Sequence, residues 1–367
     1  MKKLTTTLFL LMVSMHAQSS EQCSIIGVSD YHQSPHYTIN SSLWVTANSY
    51  DELVQFIEQK KPYIYVPDDV TIVIPNKKGA LTIGENQTVF SSRSVSSQGG
   101  LILVEKNLSD SIDDYPVIYM KSGARISGMR IEGPEKTSST HKKTIGIQSV
   151  ENAVNITVDN NEVYGWPWAG VSIKKTTNAV VKNNYIHDNI KSELGYGVVV
   201  QNGYATAHIQ CNIFNKNRHA IAGSGKSGEG YYAINNLVMQ GGGYDAYHQF
   251  DMHADGSEPM YGGSFFVSKN NWFDFGDIGT MNRSSIMLRG IPRNGVAIIT
   301  GNKFKSDIQL TPTTETVTGV PGSIPSKEEL KSSNDFNTNF SYFQQQERCF
   351  MTAGNEDHEI YCKSINL

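Results

Sequence analysis

Six short segments of this chain share one pattern, in which an asparagine is followed by one variable residue and then by Val, Ile or Phe. Each segment lies at the end of a run rich in strand-forming residues. The asparagines are spaced 23, 28, 24, 35 and 31 residues apart, and they are Asn161, Asn184, Asn212, Asn236, Asn271 and Asn302. A repeat of this length, with strands and no helical pattern, is typical of a β-solenoid. We therefore predict an all-β, right-handed parallel β-helix in which each repeat forms one coil.

The repeated asparagine has a structural explanation. A turn between two strands leaves backbone groups unsatisfied, and a stacked amide side chain can satisfy them. Stacked coils also place equivalent residues of successive repeats about 4.8 Å apart. Side chains that are distant in the sequence then meet on one sheet, and the longest inter-coil loops are expected on the binding face.

The first 62 residues divide into a leader and a cap. Residues 1–19 read as a bacterial-type signal peptide, because two lysines precede the apolar run Leu8–Met15. That run is too short for a permanent membrane anchor, so we expect a secreted or periplasmic protein. Residues 20–62 are predicted to form an N-terminal cap containing a helix over Ser49–Lys61, with Ser49 as its N-cap.

The rest of the chain is predicted to form one domain. Residues 63–304 are assigned to the β-helix, and residues 305–367 to an irregular C-terminal cap or tail. The net charge of -4 shows no basic excess that would indicate nucleic-acid binding. We expect a monomer without a membrane span, whose partner is an anionic polysaccharide.

The four cysteines are interpreted through their spacing. In an oxidising compartment, Cys349 and Cys362 are close enough in sequence to close a small C-terminal loop, so we predict a disulfide between them. Cys211 precedes a ladder asparagine and is interpreted as a reduced core residue. Cys23 is left free in this scheme.

Three strands after the ladder are predicted to align in successive coils. They belong to the segments Arg218–Gly223, Gln249–Ala254 and Ser285–Gly290. Strand alternation directs Phe250 and its alternate neighbours inward. The outward set is predicted to include Arg218, Asp251, His253, Met287 and Arg289. His219 is predicted to face inward, although at a strand end it can lie on either side.

A patch of this composition suits proton chemistry on a uronate. Removing a proton alpha to a carboxylate requires a cation to neutralise the carboxylate, a base, and an acid. The cations would be Arg218 and Arg289, each binding the carboxylate through two parallel hydrogen bonds. The base would be His253, with Tyr247 or His248 as the acid.

Asp251 and the residues around the patch have further candidate roles. Asp251 can orient a neighbouring His or Arg or bind a metal ion, and calcium is the ion left open. His219 is a further catalytic candidate. The candidate substrate-binding residues are Tyr196, Lys216, Arg293 and Trp168. Trp166 and Trp168 form either a sugar-stacking platform or a packed corner.

Two resemblances to known families follow from these residues. The ladder and the leader resemble the pectate-lyase-like superfamily of right-handed β-helices. The segment Tyr247–His253 resembles the Phe-Asp-Pro-His motif of alginate (mannuronan) C5-epimerases, with Met252 in place of the Pro. The resemblance implies that Asp251 and His253 are catalytic, together with a Tyr before them, a basic residue one coil earlier and an Arg one coil later. Lys216, Arg218 or His219 matches the earlier position, and Arg289 or Arg293 the later one.

Three classes of function stay open at this point. The first is a polysaccharide lyase or C5-epimerase acting on a uronate polymer. The second is a glycoside hydrolase on the same scaffold, which would need two carboxylates flanking the bond. Its candidates are Asp245, Asp251, Asp255 and Glu258. The third is a non-catalytic, polysaccharide-binding or adhesive β-helix, which would not explain the clustered Arg, Asp and His.

Overall fold

The architecture was obtained as a computed structural model. It describes Cys23, Gly27 and residues 34–94, 97–105, 115–135, 143–239, 248–257, 259–273, 285–304, 313–314, 325–338, 349–350 and 361–362. The leader predicted for residues 1–19 lies outside these residues. No helix in the described part of the chain is long and apolar enough to cross a membrane.

Nearly all described strands belong to three parallel sheets, which the chain visits in turn. Sheet 1 contains β1 (Val45–Thr46), β2 (Tyr63–Tyr65), β5 (Thr88–Phe90), β8 (Arg125–Ser127), β11 (Thr157–Asp159), β14 (Ala179–Lys182), β17 (Thr206–Gln210), β20 (Gly230–Ile234), β23 (Phe265–Lys269) and β26 (Val296–Thr300). Sheet 2 contains β4 (Leu81–Ile83), β7 (Tyr115–Met120), β10 (Thr144–Ser149), β13 (Ala169–Lys174), β16 (Tyr196–Gln201), β19 (His219–Gly223), β22 (Phe250–Met252), β25 (Ile286–Leu288) and β28 (Thr313–Thr314). Sheet 3 contains β3 (Thr71–Ile74), β6 (Leu101–Val104), β9 (Arg130–Glu132), β12 (Glu162–Tyr164), β15 (Tyr185–His187), β18 (Ile213–Asn215), β21 (Leu237–Val238), β24 (Trp272–Phe273) and β27 (Lys303–Phe304).

The order of strands within each sheet confirms the predicted parallel β-helix. Neighbouring strands of one sheet come from successive coils, so the chain returns to each sheet once per coil. The inner faces of the sheets carry columns of apolar side chains that form one continuous core. In sheet 3 the column ends with Phe273, Phe304 and Phe336, whose rings stack at centroid distances of 4.9 and 5.4 Å. Burial of the apolar columns in this core provides most of the hydrophobic stabilisation of the fold.

Three short helices lie outside the coils. They are α1 (Pro35–Thr38), α2 (Tyr50–Glu58) and α3 (Lys327–Ser333), and a 3₁₀ turn spans Ser41–Leu43. Helix α2 confirms the predicted N-terminal helix, and the Ser49 side chain accepts a hydrogen bond from the backbone N–H of Glu52 as its cap. Helix α3 contacts β26 in the last complete coil. An antiparallel pair, β29 (Cys349–Phe350) and β30 (Tyr361–Cys362), completes the described elements.

The predicted asparagine ladder is present and continuous. The Asn212 side chain shows the pattern, since its Oδ1 accepts hydrogen bonds from the backbone N–H and the Nδ2 of Asn184, both at 2.9 Å. Its Nδ2 in turn donates to the carbonyl of Val181. The same contacts join every consecutive pair from Asn161 to Asn302 and continue to Asn334. Asn334 precedes Asp335 and Phe336, so the sequence pattern occurs a seventh time where we did not predict it.

The residue before each ladder asparagine has a left-handed backbone conformation. Its φ angle lies between 54 and 66° at Asn160, Asn183, Cys211, Asn235, Asn270 and Gly301. Asn and Gly adopt this conformation most readily, which explains the recurrent Asn-Asn pairs. Cys211 is the exception in residue type, and it is a buried residue at this corner between sheets 1 and 3.

The prediction for Cys211 is wrong, because Cys211 forms a disulfide with Cys23 across a sequence separation of 188 residues. The backbone N–H of Gly27 donates to the Cys211 carbonyl at 2.8 Å, so the N-terminal segment lies against this corner. The stacking of the coils brings these two distant cysteines together, and no pattern within a short segment of the sequence predicts the pair. The predicted bridge between Cys349 and Cys362 stays a prediction, although their backbones lie opposite each other in the β29–β30 pair.

Candidate active site

The register of sheet 2 brings the predicted site residues together. Asp251 lies opposite Ala222 in the preceding coil and opposite Met287 in the following coil. Phe250 and Met252 are fully buried in the core, so Asp251 belongs to the outer face, as strand alternation predicts. Neighbouring side chains nevertheless cover Asp251 on this outer face, and its exposed fraction is 0%.

The Asp251 carboxylate is bound by two cationic or titratable side chains. Arg289 donates from Nε to Oδ1 at 2.9 Å and from Nη2 to Oδ2 at 2.7 Å. The Nε2 atom of His253 lies 3.1 Å from Oδ2. Burial acts to raise the pKa of Asp251, but the hydrogen bonds from His253 and Arg289 outweigh it and hold that pKa well below its ordinary value. Asp251 is therefore an anion at neutral pH.

His253 is the most accessible member of this group, with 40% of its side chain exposed. An ionised carboxylate can only accept a hydrogen bond, so the Nε2 of His253 carries the proton in the contact with Asp251. In the neutral ring the lone pair then resides on Nδ1. A histidine oriented in this way by a buried carboxylate can accept a proton and have the resulting cation stabilised.

His219 lies on the other side of Asp251, with its Nδ1 3.8 Å from Oδ2. Arg218 Nη1 lies 2.6 Å from Nε2 of His219, and Nδ1 contacts the carbonyl of His248. Arg218 has only donors, so Nε2 accepts and Nδ1 donates. Burial, opposed in part by Asp251, lowers the pKa of His219 to about 3. This neutral ring is 1% exposed and serves to position Arg218, and contact with a substrate is blocked by its burial.

A local irregularity of sheet 2 turns His219 towards Asp251. A Cβ atom on Gly197 would lie 3.0 Å from the core ring of Phe214, so Gly197 faces the interior, as does the next residue, Val198. Two successive inward positions break the alternation. Tyr196 and its register partner His219 consequently lie on the outer face. Strict alternation predicts an inward orientation for His219. Gly197, directly after Tyr196, is the feature of the sequence that indicates the interrupted alternation.

Tyr196 and Arg218 complete the cluster. The Tyr196 ring stacks on His219 with a centroid distance of 5.3 Å and an interplanar angle of 23°. Burial raises the pKa of Tyr196, and the charges of Arg218, Asp251 and Arg289 also act on it. The Tyr196 hydroxyl thus stays protonated at neutral pH beside a guanidinium.

The remaining predicted residues are placed at different distances from this cluster. Trp168 is half-buried and packs with Tyr196 over a small apolar patch on the outer face of sheet 2. Trp166 is fully buried and donates from its indole N–H to the carbonyl of Ile131, so it is a packed corner residue. Lys216 is exposed on the turn before Arg218. His248 is buried, and Tyr247 lies outside the described residues.

Arg293 belongs to a second group, next to the first. It binds the Asp255 carboxylate through Nη2, and its guanidinium carbon lies 4.4 Å from the centre of the Tyr261 ring. The Lys226 ammonium donates to the Asp255 carbonyl at 3.2 Å. Arg293 was predicted from the sequence as a substrate-binding residue, whereas Lys226 and Tyr261 were not predicted.

The geometry does not fit the calcium ion that the sequence left open for Asp251. Both Asp251 oxygens are occupied by donors from Arg289 and His253, whereas calcium requires several free oxygen ligands. Among the residues that the structure describes, no three His, Cys, Asp or Glu side chains are grouped so that they could hold a metal ion.

Comparisons with known proteins bear on the fold. Residues 72–238 match the family model described as a right handed beta helix region, so the predicted right-handed parallel β-helix is confirmed. A search of curated protein sequences finds no significant match.

Two solved structures are similar in architecture. An alginate lyase from Paenibacillus sp. str. FPU-7 is 13% identical, with a TM-score of 0.41 over 73% of this chain and 92% of that one. The Dettilon tailspike protein is also 13% identical, with a TM-score of 0.35 over 76% of this chain and 62% of that one. Similarity at this level carries no argument about activity.

Proposed function

We propose that this protein acts on a uronate-containing polysaccharide by removing the C5 proton, as a lyase or as a C5-epimerase. The observation that supports this most strongly is His253, accessible on the outer face of sheet 2 and oriented by the buried anion of Asp251. A cation, Arg218, and a protonated phenol, Tyr196, lie in the same cluster. A base, a cation and an acid are the three groups that this chemistry requires.

The proposed reaction assigns one step to each group. Nδ1 of His253 takes the C5 proton, and Asp251 stabilises the imidazolium that forms. Arg218 neutralises the substrate carboxylate while negative charge develops on it. Tyr196 is proposed as the acid in place of Tyr247 or His248, because its hydroxyl lies beside Arg218 whereas His248 is buried.

The intermediate has two possible outcomes. In the lyase, the bond between C4 and the glycosidic oxygen breaks, a C4–C5 double bond forms, and the leaving oxygen receives the proton from Tyr196. In the epimerase, the C5 carbon receives a proton on the face opposite to the one that lost its proton, and the glycosidic bond stays intact. Both outcomes use the same first step, so one set of residues supports either.

Two of the four candidate carboxylates, Asp251 and Asp255, do not suit the glycoside hydrolase. Such an enzyme requires one carboxyl group that stays protonated near neutral pH. Burial opposes ionisation of Asp251 and Asp255, but their hydrogen bonds hold both pKa values below the ordinary range. The other candidates, Asp245 and Glu258, lie outside the described residues.

Export is part of the proposal and is supported by the Cys23–Cys211 disulfide, since disulfides persist in oxidising compartments. Expression of the full chain in a bacterium, followed by cell fractionation and N-terminal sequencing, tests it. We expect cleavage near residue 19 and recovery outside the cytoplasm. An uncleaved cytoplasmic protein would contradict export.

The activity is tested by incubating the protein with alginate, polygalacturonate and glycosaminoglycans. Ultraviolet absorbance detects the unsaturated product of elimination, and proton NMR in D₂O detects exchange and inversion at C5. We expect turnover by the wild type and loss of at least a hundredfold in His253→Ala. His208→Ala is the matched control, because His208 stacks on Tyr232 in sheet 1, away from the site. Equal turnover by both variants would contradict the role of His253, and no turnover of any polymer by the wild type would favour a binding protein.

A further inference from the structure

We propose that Lys226, with Arg293 and Tyr261, forms a second carboxylate-binding subsite for the sugar next to the one at His253. This inference rests on the proposed function, because it identifies which part of the same polymer is bound beside the reacting sugar. Lys226 is the specificity-determining residue of this subsite. Residues of three successive coils form this basic group next to the segment that carries His253.

Asp255 anchors the subsite, because its carboxylate binds Arg293. Its carboxylate accepts hydrogen bonds from the backbone N–H and the hydroxyl of Ser257 and is bound by Arg293. Burial opposes ionisation, but these hydrogen bonds hold the pKa of Asp255 below its ordinary value. Arg293 is further fixed over the Tyr261 ring and by the Gly225 carbonyl. Asp255, the Tyr261 ring and the Gly225 carbonyl thus hold Arg293 in place. Arg293 therefore loses little conformational entropy when a ligand binds.

Lys226 lies close to the backbone of His253, the proposed base. Gly225 packs so closely on the following coil that an added Cβ would lie 1.9 Å from the His253 carbonyl. Its φ of +80° is a second reason for glycine. Lys226 follows Gly225 directly, is exposed, and reaches the Asp255 carbonyl. Since Asp255 is two residues from His253, its Cα lies at most about 7 Å from that of His253, so Lys226 contacts the same short segment that carries the base.

The charge of this subsite favours an anionic ligand. Lys226 and Arg293 contribute two positive charges and Asp255 one negative charge, so these three side chains carry one net positive charge, and Glu229, which accepts a hydrogen bond from the backbone N–H of Lys226, is buried. The Lys226 contact to Asp255 uses a backbone carbonyl, so the Asp255 carboxylate is matched by Arg293 and the ammonium charge is left to attract an anion. The repeating anion of a uronate polymer is the carboxylate of each sugar. A neutral polysaccharide would lack this charge attraction.

The test measures binding in a protein that cannot turn the ligand over. In the His253→Ala background, the affinities of mannuronate and galacturonate oligomers are compared with and without Lys226→Ala. The carboxyl-reduced oligomer is the neutral probe. Lys269→Ala, on sheet 1, is the matched control, and Lys226→Arg is the conservative variant. Turnover by the wild type is measured in parallel with both polymers.

We expect Lys226→Ala to raise the Kd for a uronate oligomer roughly three- to tenfold. Lys226→Arg should largely restore the affinity, and Lys269→Ala should leave it unchanged. The difference should shrink at high salt, because the contact is partly exposed.

Other results would overturn the subsite. They are an unchanged Kd in Lys226→Ala, an equal loss for the neutral oligomer, or no uronate binding by the His253→Ala protein. If the wild type turns over uronate polymers in these cases, only the subsite fails. If tight uronate binding depends on Lys226 but no polymer is turned over, the proposed catalysis fails and the subsite stands.

Discussion

The Arg289 guanidinium holds the Asp251 carboxylate in a two-pronged hydrogen bond, with N–O distances of 2.9 and 2.7 Å. This is the arrangement that the sequence analysis assigned to Arg289 and a substrate carboxylate. Because Asp251 already occupies that edge of the guanidinium, the geometry gives Arg289 a different task. It fixes the anion that orients His253, and Arg218 is the cation proposed to meet the substrate.

Replacing Arg289 with Lys should lower kcat by at least about tenfold, because a single ammonium cannot reproduce the fork that fixes Asp251. Arg125→Lys is a matched control, since Arg125 binds Asp159 through the same two atoms, Nε and Nη2, at 2.7 and 2.6 Å in sheet 1. Both variants should lose stability, but only Arg289→Lys should lose turnover. Steady-state kinetics on a verified uronate substrate checks this, and a kcat equal to that of Arg125→Lys would contradict it.

Stability should fall on acidification partly because of His219. Burial lowers its pKa from the ordinary value of 6.5 to about 3 in the folded protein. The unfolded chain therefore binds a proton that the folded protein refuses between these pH values. The contribution of His219 to the free energy of unfolding is fully present above pH 6.5. It is lost as the pH falls towards 3, by up to about 1.4 kcal/mol per pH unit.

Denaturant unfolding of the wild type and of His219→Gln across this pH range checks the effect. The variant should show a shallower dependence of the free energy of unfolding on pH. Asn294→Ala, which removes no titratable group and lies at an exposed position, is the control and should keep the wild-type slope. Parallel curves for the wild type and His219→Gln would show that His219 is not the group responsible.

Removing one rung of the ladder should destabilise the β-helix. Asn212→Ala leaves the backbone N–H of Asn184 without its acceptor in a buried position, which should cost about 1–3 kcal/mol. Asn294→Ala, at an exposed position outside the ladder, should change the free energy of unfolding by less than about 0.5 kcal/mol. Equilibrium unfolding in urea distinguishes them, and equal midpoints and slopes would argue against a stabilising ladder.

The Cys23–Cys211 disulfide should stabilise the protein by about 2–5 kcal/mol. The double variant Cys23→Ser with Cys211→Asn removes the cross-link but supplies the residue type found at the equivalent left-handed corners of other coils. Its melting temperature should equal that of the reduced wild type and lie below that of the oxidised protein. A melting temperature unaffected by reductant would show that the bridge contributes nothing.

The sequence determined the fold, because the information lies in short, repeated segments. A ladder asparagine, the strand after it and the apolar residue two positions on recur in each coil from Asn161 onward. Each coil needs only its neighbour to satisfy its backbone and bury its inner face. The alternation in β22 and β25 also gave the correct outward placement of Asp251, His253 and Arg289.

Only the tertiary structure decided how these side chains are used. Two successive inward residues at Gly197 and Val198 turned Tyr196 and His219 outward, against the local alternation. The register then buried Asp251 under Arg289, and the coil geometry joined Cys23 to Cys211. These relationships depend on contacts between coils, where a shift of one residue reverses the face of a side chain. No local pattern in one segment carries that information, so it emerges only when the coils are stacked.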